Sequence, residues 1–247
     1  MTMPTLSIAM IANNEEKNLA RSLGSAAWAD EIVFVDCGST DGTALAARDF
    51  KLRYFARPNS RTVYVNKQFA VDQASSDWIL ILDADEEVSP ALRTEIGRAI
   101  SAPDAPAAFS MPRRNFYFGS WLRHGGKYPD TQLRLFRRGS ARFLPLPVHE
   151  RLEVNGAIGA LKEPLLHYPY SDDQDMARKR DFYAEILAAS YAAKGRSRLF
   201  ILFRPFSRFL SAYLLKLGFL DGAAGLKTAL MDFSNVMASA LRYLEQK

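Results

Sequence analysis

Three short apolar runs in the first 90 residues each end in polar side chains, and this pattern limits the fold more than any other. The runs are TLSIAMIA (5–12), EIVFVD (31–36) and WILILD (78–83), and their length and β-branched content are typical of buried strands. LRYFA (52–56) is a further strand candidate, and the segments between the runs have helical spacing. Strands that alternate with helices form right-handed βαβ units. We therefore predict an α/β fold with a mostly parallel sheet whose faces are covered by helices.

Two helix starts are marked by capping residues. Ser89 stands at an N-cap position and Pro90 at the first helical position, which together are a strong start signal. Thr43 is expected to cap the helix that begins ALAARDF.

The polar strand ends predict one ligand site. In a parallel sheet, ligands bind beyond the carboxyl ends of the strands. Three strands are followed there by Asn13 and Asn14, by Asp36, and by the pair Asp83 and Asp85. We expect these side chains at one edge of one sheet.

The acidic stretch DADEE (83–87) raises the question of what balances its charges. In an extended segment, Asp83 and Asp85 face one spot, and Ala84 leaves room for a ligand. Because Mg²⁺ and Mn²⁺ are usually held by one or two carboxylates plus substrate phosphates, we predict a divalent metal here. The alternative is a solvated acidic loop whose charges favour the N-terminus of the next helix. We keep that interpretation for Glu86 and Glu87.

The stretch VDCGSTDGT (35–43) is the second sign of a ligand site. Asp36 can accept a hydrogen bond from a base or ribose, and Gly38 and Gly42 allow the backbone to approach a ligand closely. A plain turn between strand and helix is the alternative. The stretch is neither a Walker loop nor a G-x-G-x-x-G fingerprint.

Charge and cysteine content limit the binding partners and the cellular compartment that we expect. The formal net charge of +5 favours an anionic partner such as a nucleotide, nucleic acid, phospholipid or phosphorylated glycan. The single cysteine, Cys37, excludes an internal disulfide and fits a reducing compartment. The first residues lack a basic region and a long apolar run, so we expect no signal peptide and a cytoplasmic protein.

Five motifs together resemble one known family. They are MIANNEEKNLARSL, ADEIVFVDCGSTDGT, DWILILDADEEVSP, YPDTQLRLFRR and VHERLEV. The chain resembles the family-2 glycosyltransferases, and among them the bacterial lipopolysaccharide core glucosyltransferases. The resemblance implies a Rossmann-like GT-A fold over residues 1–170, with a nucleotide-sugar half at about 1–108 and an acceptor half at about 109–170. From Ser171 onward the residue pattern is helical, so we predict that residues 171–247 form a helical C-terminal extension.

The resemblance implies a nucleotide-sugar site at the strand ends. Asp36 matches the acid that contacts uracil, and Lys67 matches a basic position near the nucleotide. Gln68 departs from the asparagine that often follows that basic residue. Asp83 and Asp85 match the D-x-D that holds the metal and the diphosphate. The complete expected set is Ala12, Asn13, Glu15, Asp36, Lys67, Asp83, Ala84 and Asp85, with Mg²⁺ or Mn²⁺ as cofactor.

Asp130, in YPDTQLRLF, is the candidate catalytic base that the resemblance implies. It replaces a Glu-Asp base of the family, with Pro129 in the place of the glutamate. A carboxylate within reach of a sugar hydroxyl takes its proton during attack, and one displacement then inverts the anomeric centre. The alternative is a loop aspartate paired with Arg134 or Arg137.

Histidines and aromatic residues complete the expected site. His149, in LPVHERL, is a candidate metal ligand, with a structural histidine as the alternative, whereas His167 is predicted to be structural. For the acceptor we expect Trp121 and His124, which lie in MPRRNFYFGSWLRHGGKY, and also Arg134. Arginine and aromatic side chains suit a phosphorylated saccharide. No RNA-binding module is recognisable, so we expect no nucleic acid partner.

The tail stretch RSRLFILFRPFSRFLSAYLLKLGFL (196–220) is apolar but interrupted by charges. Charges such as Arg204 and Arg208 are costly at the centre of a spanning helix. We therefore expect an interfacial helix with a basic face, peripheral to the inner face of the cytoplasmic membrane. The alternative is a core helix or the helix of a homo-oligomer.

Together these observations predict an enzyme. We expect inverting, metal-dependent transfer of a hexose, with glucose the expected sugar, from a UDP-sugar to a lipopolysaccharide core-type acceptor. The alternatives are transfer to another membrane-linked glycan or lipid, and a catalytically inactive membrane protein that binds a sugar nucleotide.

Overall fold

A computed structural model describes residues 3–60, 63–144 and 151–245 of the chain. Its contacts divide the chain into two compact units. We call Met1–Arg113 with Thr131–His167 the sheet unit, and Arg114–Asp130 with Tyr168–Lys247 the helical unit. Residues 114–130, expected within an acceptor half, therefore belong to the same unit as the C-terminal helices.

The sheet unit is built on a seven-stranded sheet with the order β12-β6-β9-β4-β1-β2-β3. These strands are β1 (Leu6–Ala12), β2 (Glu31–Asp36), β3 (Arg53–Ala56), β4 (Trp78–Ile81), β6 (Ala108–Met111), β9 (Gln132–Arg137) and β12 (Ile158–Ala160). Four neighbouring pairs are parallel, and β9 runs antiparallel to both β4 and β6. The predicted mostly parallel α/β sheet is therefore confirmed.

Helices and two small strand pairs complete the sheet unit. The helices are α1 (Glu16–Ala26), α2 (Thr43–Ala47), α3 (Tyr64–Gln73) and α4 (Pro90–Ser101). The small antiparallel pairs are β5 (Glu86–Val88) with β13 (Leu165–His167), and β10 (Ala141–Phe143) with β11 (Leu152–Val154).

The apolar strands form the core because both of their faces are covered. In β4, every residue from Trp78 to Ile81 is buried, and β1 and β2 are buried along nearly their whole length. One cluster packs Ile8, Phe34 and Trp78 with residues of α1 and α4, and a second cluster lies on the other face with α3. Burial on both faces explains why these strands are continuously apolar rather than alternating.

Of the two predicted N-caps, the one of α4 is found in the structure and the one of α2 is not. Ser89 Oγ accepts a hydrogen bond from the Leu92 amide at 3.2 Å, which confirms the cap of α4. The N-cap of α2 is Gly42, so the prediction for Thr43 is wrong. The Thr43 hydroxyl instead accepts from the Glu15 amide at 2.8 Å and donates to Asp41 at 2.5 Å.

The helical unit is formed by three long helices and a short hairpin. The helices are α5 (Asp173–Ala193), α6 (Arg198–Leu210) and α7 (Gly222–Glu245), with a π-helical turn at Ser211–Leu215 and a 3₁₀ turn at Gly218–Asp221. The hairpin pairs β7 (Arg113–Tyr117) with β8 (Ser120–Trp121). Tyr191, Ile201 and Tyr243 form the centre of a small core among the helices.

Within the described ranges, no single helix combines the length and apolar character of a membrane span. By length and composition alone, one bent pair passes that test, Arg198–Leu215 with Gly218–Glu245, which meet at 72°.

Candidate active site

The carboxyl ends of β1, β2 and β4 meet at one edge of the sheet, as predicted. Ala12, the last residue of β1, pairs with Asp36 at the end of β2. On the other side of β1, Ala9 pairs with Ile81, so the loop that begins after β4 starts at the same edge. The three polar segments expected to bind a ligand therefore follow neighbouring strands.

The loops after β1 and β2 are bound to each other. Asn13 Nδ2 donates to the carbonyl of Cys37 at 2.8 Å, and the Thr40 amide donates to Asn14 Oδ1 at 2.7 Å. Asn14 holds a left-handed backbone conformation with φ of 58°. Glu15 faces its own helix, where its carboxylate accepts from Asn18 at 2.7 Å. These bonds hold the loop backbone in place before any ligand arrives.

Asp36 is buried and already positioned by two donors. Its Oδ1 accepts from the Ser39 amide at 2.9 Å, and its Oδ2 accepts from the hydroxyl of Tyr54 at 2.7 Å. Partial burial, and then the Asp36 carboxylate, raise the pKa of Tyr54 to about 12, so its hydroxyl stays a donor at neutral pH. Tyr54 was not predicted as a site residue, although it lies in the predicted strand LRYFA.

Asp83 is paired with two cations. Lys67 Nζ lies 2.9 Å from its Oδ1, and Arg134 Nη2 lies 2.5 Å from its Oδ2. Burial by itself raises the pKa of Asp83, but the charges of Arg134 and Lys67 outweigh that effect and hold the pKa far below its ordinary value. Asp83 is therefore ionised at every physiological pH, and Lys67, expected near the nucleotide, is one of its two partners.

Glu86 corrects the interpretation of the acidic stretch. It was expected in a solvated loop, but it is fully buried in β5. Its carboxylate accepts from the Asp83 amide at 3.0 Å, from Arg113 at 3.0 Å and from Arg134 at 3.1 Å. A buried carboxylate needs such partners, because an unpaired charge in the interior is very costly. Glu86 therefore holds Arg134 next to Asp83.

Arg134 has a different place from the one predicted. As a residue of β9, it is buried in the sheet unit and divides its guanidinium between Asp83 and Glu86. Arg134, expected in the acceptor site, therefore lies beside the first acid of the D-x-D motif.

Asp85 has a separate partner. Its Oδ2 lies 3.6 Å from Nε2 of His167, the last residue of β13, which pairs with Glu86 in the sheet. His167 was predicted to be structural, yet its ring lies beside the second acid of the motif. His167 is the polar residue at the end of the short apolar run LLH (165–167). An apolar run with a polar end is the same pattern that predicted the other strand ends.

The expectation that Asp83 and Asp85 face one spot because they lie in an extended segment is not met by their side-chain contacts, which go to different partners. It assumed that residues 83–85 are extended, but a turn closes between the Asp83 carbonyl and the Glu86 amide, which are 2.9 Å apart. Ala84 is buried in that turn. Over the described ranges, no three His, Cys, Asp or Glu side chains come together as a complete metal site. His149, the third predicted ligand, lies outside the described residues.

Asp130 and two of the expected acceptor residues, Trp121 and His124, lie in the helical unit. Asp130 Oδ2 accepts from Asn115 Nδ2 at 3.1 Å, and the same amide donates to the Lys127 carbonyl at 2.7 Å. His124 is bound by Asp221, which accepts from its backbone amide and lies 2.8 Å from its Nδ1.

Trp121 is surrounded by positive charge. The guanidinium groups of Arg114 and Arg123 lie 4.1 Å and 4.4 Å from its ring centroids, and Tyr128 contacts it edge-on. Trp121, expected in the acceptor site, is thus packed among arginine and aromatic side chains of its own unit.

Comparison with known proteins identifies relatives of both sequence and fold. Residues 7–158 match the family model described as glycosyl transferase family 2. The lipopolysaccharide core biosynthesis glycosyltransferase LpsC of Rhizobium meliloti is 32% identical over 217 residues, which cover 84% of this chain and 80% of that protein.

Two solved structures are similar in fold at low sequence identity. S. aureus TarS (residues 1–349) in complex with UDP has a TM-score of 0.53 and 17% identity, covering 98% of this chain and 92% of the other. The mannosyltransferase PcManGT of Pyrobaculum calidifontis, in complex with GDP-Man and Mn²⁺, has a TM-score of 0.52 and 18% identity, covering 100% and 89%. These likenesses confirm the predicted GT-A fold.

Proposed function

The chain belongs to glycosyltransferase family 2, and on that premise we propose that it transfers a hexose, with glucose as the expected sugar, from a UDP-sugar to a lipopolysaccharide core-type acceptor with inversion. The similarity to LpsC, a lipopolysaccharide core biosynthesis glycosyltransferase, supports the acceptor class. The likeness in fold to TarS, whose structure contains UDP, is consistent with the donor.

The observation that carries the proposal is the charge arrangement after β4. Lys67, Arg134 and Arg113 bring three positive charges to two carboxylates, Asp83 and Glu86, and so leave one positive charge in excess at the edge where ligands of such sheets bind. This excess charge favours a diphosphate, and Glu86 keeps Arg134 in place from behind. In this proposal Asp83 positions Lys67 and Arg134 and is not itself a metal ligand.

Asp85 and His167 are the residues that would hold a divalent cation. Their carboxylate oxygen and imidazole nitrogen lie 3.6 Å apart, close enough for two ligands of one ion. A mixed oxygen and nitrogen donor set, completed by substrate phosphates, suits Mn²⁺. When bound, the ion stabilises the negative charge of the leaving nucleoside diphosphate.

Asp36 is proposed to bind the uracil base. Its two oxygens accept from Ser39 and Tyr54, which orients the carboxylate while leaving lone pairs for a further donor. Because uracil carries one ring N–H donor, a fixed carboxylate is a suitable partner.

Asp130 remains the proposed base. Its hydrogen bond from Asn115 orients the carboxylate, which would take the proton of the acceptor hydroxyl. One displacement needs no covalent intermediate and therefore no second carboxylate. An Asp130→Asn variant should bind the donor normally and lose transfer by about a hundredfold or more. Turnover near the wild-type rate would remove Asp130 from the mechanism.

A donor screen by thermal shift tests the proposal. UDP-glucose, UDP-galactose, UDP and GDP-mannose are compared with and without Mn²⁺. We expect the uridine compounds to raise the melting temperature only with Mn²⁺, because the ion would join their phosphates to the protein. At a hundredfold excess over its Kd, a bound ligand stabilises the folded protein by about 2.7 kcal/mol.

Variants locate the metal in the same screen. Asp85→Asn and His167→Gln should abolish the Mn²⁺ dependence, whereas Asp104→Asn, at an exposed aspartate, should keep it. A Mn²⁺ response that survives both changes would exclude this pair as the metal ligands. Donor binding without transfer or hydrolysis would instead indicate an inactive protein that binds a sugar nucleotide.

A further inference from the structure

Helix α6 exposes an apolar face to solvent. Leu199, Phe203, Phe206 and Leu210 are exposed by 67%, 63%, 51% and 50%. Their spacing of four, three and four residues places them on one side of the helix. Monomeric proteins rarely leave an apolar surface of this kind uncovered without a function.

The opposite face of the same helix is packed against the helical unit. Ile201 and Pro205 are buried, and Arg208 reaches Asp232 of α7 at 2.8 Å. Helix α6 is thus already anchored through its inner face, so the exposed residues are not the remainder of an unfinished core. The outer face is free for a partner.

The apolar exposure continues beyond α6. The turns between α6 and α7 expose further large apolar side chains: Leu214, Leu215, Leu217, Phe219 and Leu220. Leu215 is exposed by 80%, the largest value among the apolar residues of this region.

Charge identifies the kind of partner. Residues 194–220 contain six basic side chains and no acidic one. The six are Lys194, Arg196, Arg198, Arg204, Arg208 and Lys216. Two copies of this chain meeting through the face would bring like charges together, which opposes association. An anionic surface is attracted instead.

We propose that this face, Leu199, Phe203, Phe206 and Leu210 with the flanking Arg196, Arg198 and Arg204, docks on the surface of an anionic phospholipid bilayer. The 13 residues of α6 are too few to span a bilayer, and in the longer stretch Arg198–Leu215 the charges of Arg204 and Arg208 lie near the centre, where they are costly. The helix therefore lies in the interface, with its apolar side chains among the acyl chains and its charges at the headgroups. Arg196 and Arg204 lie 5.0 Å and 5.9 Å from the ring centroid of Phe200, so positive charge borders the apolar side chains directly. This surface is additional to the proposed sugar transfer and does not depend on it.

Vesicle flotation of the full chain tests the surface. We expect flotation with vesicles of phosphatidylcholine plus phosphatidylglycerol, and much less with phosphatidylcholine alone. Leu199→Gln with Phe203→Gln should weaken binding by tenfold or more, since each change removes a large apolar side chain from the membrane. Leu45→Gln is the matched control, because Leu45 is exposed by 68% in the sheet unit and should leave binding unchanged.

A second pair of variants tests the charges. Arg198→Gln with Arg204→Gln should weaken binding to the anionic vesicles by about 25-fold, from about fivefold for each charge near the surface. Lys51→Gln with Lys162→Gln removes two exposed charges elsewhere and should have no effect. Circular dichroism confirms that each variant is folded.

Two outcomes overturn the proposal. One is flotation that is absent, or equal for the tail variants and their controls. The other is a dimer in light scattering that the Leu199 and Phe203 changes convert to a monomer, without vesicle binding, which would make the face an interface between copies. Neither result bears on donor binding, so the proposed transfer is tested separately.

Discussion

Asp83 illustrates how partners decide the role of a carboxylate. Its position after β4 suggested a metal ligand, but Lys67 and Arg134 occupy both of its oxygens. Asp85, two residues later, contacts His167 instead. The two acids of this short motif thus have different roles. Asp83 positions two cationic side chains, whereas Asp85 is proposed to bind a metal ion.

The ion pairs of Asp83 should make stability depend on pH. Asp83→Asn is expected to destabilise the protein by about 2 kcal/mol at pH 7, less than for a fully buried pair because the side chain is partly exposed. The folded-state pKa lies below the ordinary value of 3.8, so the contribution is complete above that value and is lost as the pH falls below it.

Urea unfolding between pH 7 and pH 3 measures this difference. The difference in unfolding free energy between wild type and Asp83→Asn should be constant down to about pH 4.5. Below the ordinary pKa it should decrease by up to about 1.4 kcal/mol for each further pH unit. Asp104→Asn, at an exposed site, should show no such trend. A gap that widens in acid would contradict the assignment.

Tyr54 is predicted to matter for nucleotide binding through Asp36. Tyr54→Phe removes the donor to Asp36 Oδ2 and should cost about 1 kcal/mol of stability. Because the carboxylate is then less well oriented, we expect UDP to bind about fivefold more weakly, which corresponds to about 1 kcal/mol. Titration calorimetry measures the affinity, with Tyr183→Phe in the helical unit as the control. Unchanged affinity would place Asp36 away from the nucleotide.

At the scale of elements, the backbones of α7 and the 3₁₀ turn approach each other very closely at Gly225 and Gly218. A Cβ on Gly225 would lie 1.9 Å from the carbonyl oxygen of Gly218, and a Cβ on Gly218 would lie 2.6 Å from that of Ala212. The backbone of the turn can approach the helix only because neither residue has a side chain. These two glycines therefore allow the chain to pass from α6 into α7.

A matched pair of glycine substitutions tests this packing. Gly225→Ala should destabilise the helical unit by about 3 kcal/mol, because a backbone carbonyl cannot yield as a side chain would. Gly97→Ala, in α4, meets no atom within 4 Å and should stabilise by about 0.5–1 kcal/mol through helix propensity. The urea midpoints of the two variants measure these changes in stability. Equal changes would contradict the close backbone contact at Gly225.

At the scale of the whole molecule, the positive charge is concentrated in one segment. Removing the six basic residues of 194–220 from the 32 in the chain leaves 26, against 27 acidic residues. The net charge of +5 therefore comes from the tail, and the rest of the chain is nearly neutral. The basic character that suggested an anionic partner belongs to the proposed membrane surface, whereas the nucleotide site depends on a few local cations.

Hydrogen exchange across the whole chain should separate the two proposed surfaces. UDP with Mn²⁺ is expected to slow amide exchange in the loops after β1, β2 and β4, where the backbone approaches the nucleotide, and to leave α6 unchanged. Anionic vesicles should slow exchange in α6 instead. Protection by UDP confined to the helical unit would contradict the site.

The sequence by itself determined the local elements and the family. Apolar periodicity places β1, β2, β4 and the helices between them, because the period of a strand or helix is set by neighbouring residues. The polar residues at the strand ends, together with the quoted motifs, predicted the GT-A fold and the edge of the sheet at which the site lies.

Only the tertiary structure decided which charges meet. Lys67, Arg134 and His167 come from α3, β9 and β13, which are far apart in the chain, and their approach to Asp83 and Asp85 depends on the order of strands in the sheet. The burial of Glu86 follows from the same packing, since no local pattern shows that two arginines will neutralise it. Periodicity is a property of neighbours in sequence, whereas an ion pair is a property of neighbours in space.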